Sequence, residues 1–258
     1  MWQQIKELYL YREMLRNLVA KEIRARYKGS VLGFFWTFAH PLLMLIVYSV
    51  VFSFVMRIQV ENYAMFLFVA LLPWNYLAQS TLQSASSLVQ NAGLVKKIYF
   101  PRAVLPLSVV FANLVNYLLA LFVLIPALLV FQIKLTPALL AFPVVLSLQT
   151  LLVTAIALLV AVATVYFRDL EHITSILITV WFFLTPVLYP AEIVPERFKP
   201  FFMLNPAAPL VEAYRAVFFY GRWPDWHTLA QLTPVVFALL LISFAAFDRL
   251  QRAVAEEV

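Results

Sequence analysis

Residues 103–133 read AVLPLSVVFANLVNYLLALFVLIPALLVFQI, a run of 31 residues between Arg102 and Lys134 without one charged side chain. A helix needs about 20 mostly apolar residues to cross a hydrocarbon core of about 30 Å. This run holds one crossing and is too short for two joined by a turn. Moving outward, the pattern repeats. Charge-free runs cover 29–56, 62–95, 135–167, 172–191 and 226–247, with lengths of 28, 34, 33, 20 and 22 when His is taken as neutral. The spacing predicts an all-α integral membrane protein with six transmembrane helices, at 34–56, 63–86, 104–130, 139–166, 172–190 and 229–248. Only 12% of the chain is charged and 64% is hydrophobic, with a mean hydropathy of +0.89. A soluble domain of this length is about 25% charged.

Six crossings put both termini on one side. With that side cytoplasmic, 13 of the 19 Lys and Arg fall in inner segments and six in outer ones. The bias is strongest ahead of the first crossing, so both termini are expected in the cytoplasm. The net charge of +6 then reflects topology and anionic lipid, and no nucleic-acid partner is expected. The N-terminal residues interleave apolar and charged side chains, unlike a cleavable signal peptide.

The whole chain, 1–258, reads as a single membrane domain with three regions that a plain six-helix bundle does not explain. In residues 1–30, Tyr11, Leu15, Val19, Ile23 and Tyr27 recur every four positions, with Ile5 and Leu8 on the same broad face. That pattern predicts an amphipathic, basic helix lying in the cytoplasmic interface. Residues 88–103 form an inner loop in which Asn91 can cap a short helix and Pro101 stops it. Its Val95, Ile98, Tyr99 and Phe100 are apolar or aromatic beside Lys96 and Lys97, a composition suited either to docking on a partner or to an interfacial turn. Residues 191–226 are too polar to cross and too apolar to be a free loop. Two helical pieces broken at Asn205-Pro206 and ended by Gly221 predict an outer re-entrant hairpin, which survives at membrane depth only when buried or lining water. Glu212 and Arg215, three apart, share a helix face there. They read as an outer gate or, more simply, as a structural ion pair.

Several chemistries are absent. The four glycines open no GxxxxGK[ST] phosphate loop. There is no HExxH, no His–carboxylate cluster and no cysteine. The crossings carry almost no ionisable groups, which disfavours an ion-coupled carrier or a diphosphate-cleaving membrane enzyme. Uphill transport would therefore draw its energy from another chain. The aromatics Trp36, Tyr48, Phe52, Trp181, Phe182, Phe183 and Tyr189 are explained mostly by interfacial belts. They are also candidate lining for a neutral path.

Longer motifs carry a resemblance. Residues 26–36 (RYKGSVLGFFW), then His40-Pro41-Leu42-Leu43 and Tyr48 to Phe52, are similar to the start of the first crossing in ABC-2-type permeases. Residues 166–173 (YFRDLEHI) resemble the inner turn between the fourth and fifth crossings. Residues 185–190 (TPVLYP), Leu204-Asn205-Pro206 and Glu212-Ala213-Tyr214-Arg215 resemble the family's outer re-entrant segment. The pattern most resembles permeases that export O-antigen, with capsule and teichoic-acid permeases as relatives. The resemblance implies a homodimer in a bacterial inner membrane, bound to two copies of a separate ATPase that carries ATP and Mg. No cofactor is expected in this chain. It implies an undecaprenyl-diphosphate-linked glycan as substrate, moved between protomers. It implies ATPase contacts by the N-terminal helix, at Asn91, Lys96, Lys97, Tyr99, Phe100 and Arg102 and at Arg168, Asp169 and Glu171. Asn205, Glu212 and Arg215 are the candidates for an outer gate. Arg24, Arg26 and Lys28 are candidates to attract the diphosphate, although positive-inside topology already accounts for them. A permease for a small drug or lipid, and an ion-coupled carrier, remain as alternatives.

Overall fold

The computed structural model describes residues 2–30, 33–51, 62–198 and 204–251; no side chain is described for 2–5 or for residue 27. Among the described residues all regular structure is helical. Two helices, α1 (Trp2–Leu10) and α2 (Arg12–Tyr27), meet at Tyr11, whose ψ of 18° interrupts the predicted single helix. A 3-10 turn at Gly33–Phe35 leads into α3 (Trp36–Val50). Then follow α4 (Tyr63–Gln90), α5 (Ala92–Lys97), α6 (Val104–Val130), α7 (Phe142–Tyr166) and α8 (Leu170–Leu184). A shorter helix, α9 (Ala207–Phe218), precedes the final long helix, α10 (Trp226–Leu250).

Five helical segments among the described residues are long and apolar enough to cross a bilayer: Gly33–Val50, Tyr63–Gln90, Val104–Val130, Pro137–Tyr166 and Trp226–Leu250. The crossing expected at 172–190 is helical only over Leu170–Leu184, 15 residues, or about 22 Å at 1.5 Å per residue. Thr185 is extended, with ψ 140°, because the ring of Pro186 disfavours helical geometry in the residue before it. The far end of the first expected crossing, and the first piece of the expected outer hairpin, lie outside the described residues.

Helix α4 is the axis of the molecule. It packs against α3, α6, α7, α8 and α9 and is buried on almost every side. An all-round apolar helix requires such a position. Its C-terminal half carries Ser80, Thr81, Ser84, Ala85, Ser86 and Ser87, all buried. Small side chains here let α6 approach through Ser108 and Ala112, the usual means of close helix packing in lipid. Helix α10 lies along α7, where Ala155, Ala157 and Ala161 are buried.

The end of the bundle that holds the N-terminal helices has its own apolar cluster. Leu18 of α2 is buried there with Leu88, Val104, Leu158, Val165 and Phe247, and Leu8, Tyr11, Met14 and Leu15 pack against it. The amphipathic reading of the N-terminal segment holds, but its buried line runs through Leu18, while Val19 and Ile23 are half-buried.

The loops that follow α6 and α9 are joined to each other. Thr136 Oγ1 donates to the Gly221 carbonyl at 2.8 Å. Gly221 has φ +63°, and a Cβ placed on it would meet Thr136 Cγ2 at 2.8 Å. Gly221→Ala therefore combines left-handed strain with a clash, and is expected to cost about 1–3 kcal/mol. Thermal unfolding in detergent measures it, and a melting temperature equal to wild type would refute this account of the turn. Asp225 starts α10 by accepting from the His227 and Thr228 backbone N–H groups and the Thr228 hydroxyl. The Thr228 hydrogen bonds hold its carboxyl below the usual range.

Candidate functional site

The segment expected to dock on a partner is built on α5. Asn91 does not cap it with its side chain, as the spacing had led us to expect. The Asn91 backbone carbonyl accepts from Leu94 and Val95. Its side-chain Nδ2 donates to the Ser87 carbonyl at 2.9 Å, and its Oδ1 accepts from Lys21 Nζ at 3.1 Å. Asn91 thus joins α2 to the corner between α4 and α5. Val95 and Phe100, expected to face a partner, belong to the inner apolar cluster, with Phe100 only 5% exposed. The chain is extended at Ile98, just after α5. Tyr99 is 91% exposed beside exposed Ile98, Lys96 and Lys97. Arg102 is half-buried. The second expected contact, the turn before α8, exposes Phe167, Arg168, Asp169 and Glu171. These three charged side chains make no ion pair with a described residue.

The expected channel aromatics separate into two kinds. Trp181 packs edge-on against Trp74 and Phe182 packs against it at a tilt, with ring centroids 5.8 and 5.5 Å away. Trp181 Nε1 also donates to Asn205 Oδ1 at 2.7 Å. These two rings are packing residues within the single chain. Tyr48 is half-buried against the main core, and the Tyr189 hydroxyl donates to the Phe183 carbonyl at 3.0 Å. Trp36 and Phe183 are the exposed members. Phe52 lies outside the described residues.

The expected outer gate is a clamp. Arg215 is fully buried. Its Nη1 donates to Glu212 Oε1 at 2.9 Å and to the Tyr189 carbonyl at 3.3 Å. Its Nη2 donates to the Val187 carbonyl at 2.7 Å, and its guanidinium lies 3.6 Å from the centroid of the Phe66 ring. Asn205 completes the attachment. Its Nδ2 donates to Thr185 Oγ1 at 2.9 Å and to the Leu184 carbonyl at 3.2 Å, and its Oδ1 accepts from the Ala207 N–H at 3.0 Å. The loop that ends α8 is thereby locked to the start and middle of α9.

The candidate diphosphate ligands do not act as a group. Arg24 donates to the Ala20 carbonyl on its own helix, and Lys28 is exposed. Arg26 reaches inward, where its Nη2 contacts Gln83 Oε1 at 2.7 Å and Asn113 Oδ1 at 2.6 Å. It borders a cavity of about 380 Å³ between α3, α4 and α6 that also contains Asn75, Gln79 and Asn116. Reasoning from charge missed these amides because uncharged side chains do not interrupt a charge-free run. Their signal was the spacing of four between Asn75, Gln79 and Gln83. No group of three or more metal-ligating side chains occurs among the described residues.

Residues 13–219 match the ABC-2 type transporter family. The chain is 39% identical over 256 residues to the O-antigen export system permease protein RfbA of Myxococcus xanthus, covering 98% of each. It is 33% identical over 249 residues to the protein of the same name from Klebsiella pneumoniae, covering 96% of this chain and 95% of the relative. It is 23% identical over 243 residues to the polysialic acid transport protein KpsM of Escherichia coli, covering 92% and 93%. With the family matched across most of its length, on a framework of long apolar helices, this multi-pass membrane protein belongs to the ABC-2 type transporter family.

Proposed function

We propose that the chain is the membrane-spanning permease subunit of an ATP-driven exporter that carries an O-antigen-like, lipid-linked polysaccharide out of the cytoplasm across a bacterial inner membrane. The observation that carries this reading is near-complete, collinear likeness to permeases bearing that name. In this reading two copies of the chain form the path. Two copies of a separate ATPase hold ATP and Mg, the glycan arrives on undecaprenyl diphosphate, and both termini lie in the cytoplasm. The chain contributes the route and the surface on which the ATPase pushes.

The exposed Lys96–Tyr99 knob supports that docking role. It stands on a buried base, Val95 and Phe100, so force applied to it passes into the α4–α6 corner. The test is copurification with the ATPase encoded beside the permease. Changing Ile98→Ser and Tyr99→Ala together is expected to reduce the recovered ATPase tenfold or more while the permease stays monodisperse. Phe100→Ala is expected to destabilise the permease itself by about 3–5 kcal/mol, as for a buried aromatic. Full ATPase recovery with the double variant would move the docking surface elsewhere. A wild-type permease that transports without any ATPase would overturn the reading.

A further inference from the structure

A groove of about 680 Å³ runs between α9 and α10. Residues 219–225 join the two helices, so one end of the groove lies at that connection. The described lining there is charged. Arg222 and Asp225 come from the connection, and Glu212 faces the same groove from α9. Along α10 the wall turns apolar. Leu229, Leu232 and Val235 recur every three residues on it, with Gln231 beside them.

Two exposed indoles mark the depth of the charged end. Trp223 and Trp226 lie there with ring centroids 6.3 Å apart, and indoles gather at the headgroup level of a bilayer. Helix α10 is long and apolar enough to cross one. Val235 follows Asp225 by ten residues, or about 15 Å along a helix, which places it among hydrocarbon. The groove therefore runs from headgroups into lipid tails. Its charges are only partly answered within the chain. The Arg222 guanidinium lies 4.8 Å from the centroid of the Tyr220 ring and makes no hydrogen bond or ion pair with a described residue. Glu212 gives Oε1 to Arg215, and its other oxygen, on a side chain 28% exposed, accepts from no described residue. Asp225, exposed at the start of α10, adds a second negative charge.

One cation and two carboxylates above an apolar wall discriminate among occupants. A glycan would set hydroxyls against Leu232 and Val235 and leave them without partners. An anionic lipid would answer Arg222 and meet two like charges. A zwitterionic lipid brings a phosphate to Arg222 and a cation to the carboxylates. A quaternary ammonium carries that charge without an N–H to donate, whereas a primary ammonium donates three hydrogen bonds. We infer that the groove between α9 and α10 binds a phospholipid whose headgroup joins a phosphate to a primary ammonium. Its ammonium shares Glu212 with Arg215, so the bound lipid braces the clamp that holds α9 to the loop after α8. This site is independent of what the protein exports.

The test uses the full chain, delipidated in detergent, and three probes with identical tails: dioleoyl phosphatidylethanolamine, phosphatidylglycerol and phosphatidylcholine. Native mass spectrometry reads which lipid is retained first. Phosphatidylethanolamine is expected to exceed each of the others fivefold or more. Glu212→Gln and Asp225→Asn, made separately, are each expected to cut that preference threefold or more. Asparagine caps a helix about as well as aspartate, so Asp225→Asn keeps the test valid if Glu212→Gln misfolds. Arg222→Gln is expected to lower retention of all three lipids, since each carries the phosphate. Added phosphatidylethanolamine is expected to raise the melting temperature of wild type more than that of Asp225→Asn. Equal retention of the three lipids, or phosphatidylglycerol in first place, overturns the site. A preference that neither acid variant moves also overturns it, as would follow if a second copy of the chain filled the groove.

Discussion

Arg215→Ala is expected to destabilise the protein by about 3–5 kcal/mol, the cost of breaking a buried, hydrogen-bonded ion pair by removing one partner. The side chain is fully buried, and its three described hydrogen bonds bind Glu212 and two carbonyls of the loop after α8. Removing it strands the Val187 and Tyr189 carbonyls and leaves the Glu212 carboxylate without its counter-charge. Phe66 also loses the cation stacked on its face. Lysine does not rescue the position, because a point charge cannot span a carboxylate, two carbonyls and a ring at once. Thermal unfolding of purified wild type, Arg215→Ala and Arg215→Lys measures this. A lysine variant as stable as wild type would reduce the clamp to a simple charge pair. If Arg215 gated the outer mouth instead, alanine would leave stability intact and change only transport.

The second large effect lies deeper. Gln149 of α7 is 3% exposed. Its Nε2 donates to the Pro73 carbonyl of α4 at 2.7 Å, and its Oε1 accepts from the Tyr214 hydroxyl of α9. Three helices are thus tied through one amide. Tyr214 also meets the Tyr117 ring at 6.1 Å, and Tyr117 stacks on Tyr76. Gln149→Leu keeps the volume and removes both bonds, leaving the buried Tyr214 hydroxyl without its acceptor, while the Pro73 carbonyl keeps its place in the α4 ladder. At about 1–3 kcal/mol for an unsatisfied buried group, the expected loss is about 1–3 kcal/mol. Adding Tyr214→Phe to Gln149→Leu is expected to recover part of that loss, because the orphaned hydroxyl goes too. Strictly additive losses in the double variant would show that the two side chains are not coupled.

The crossings at 63–86 and 104–130 were legible because lipid excludes charge so strongly that its absence marks a helix. The same measure overshot at α8, because Thr185-Pro186 ends the helix without changing hydropathy. The proximity of Glu212 and Arg215 was legible from a spacing of three. The carbonyls of Val187 and Tyr189 were not, because they reach Arg215 through tertiary folding. Tyr99 and Phe100 looked equivalent in composition and differ completely in exposure, since only Phe100 is carried into the inner apolar cluster where the chain turns from α5 toward α6. The polar line through Asn75, Gln79 and Gln83 was written in the sequence at a helical spacing. Counting charges alone passed over it.

The shortness of α8 has a consequence for the surrounding lipid. A helix of about 22 Å beside neighbours long enough for the full core of about 30 Å creates hydrophobic mismatch on one flank. The bilayer must thin there, or the missing length must be supplied by the protein, and α9, clamped to the loop that ends α8, is placed to supply it. The molecule is then asymmetric around its circumference. Most of its girth reaches full depth on single helices, while the sector at α8 needs a second element to do so, so acyl-chain length acts selectively on that sector.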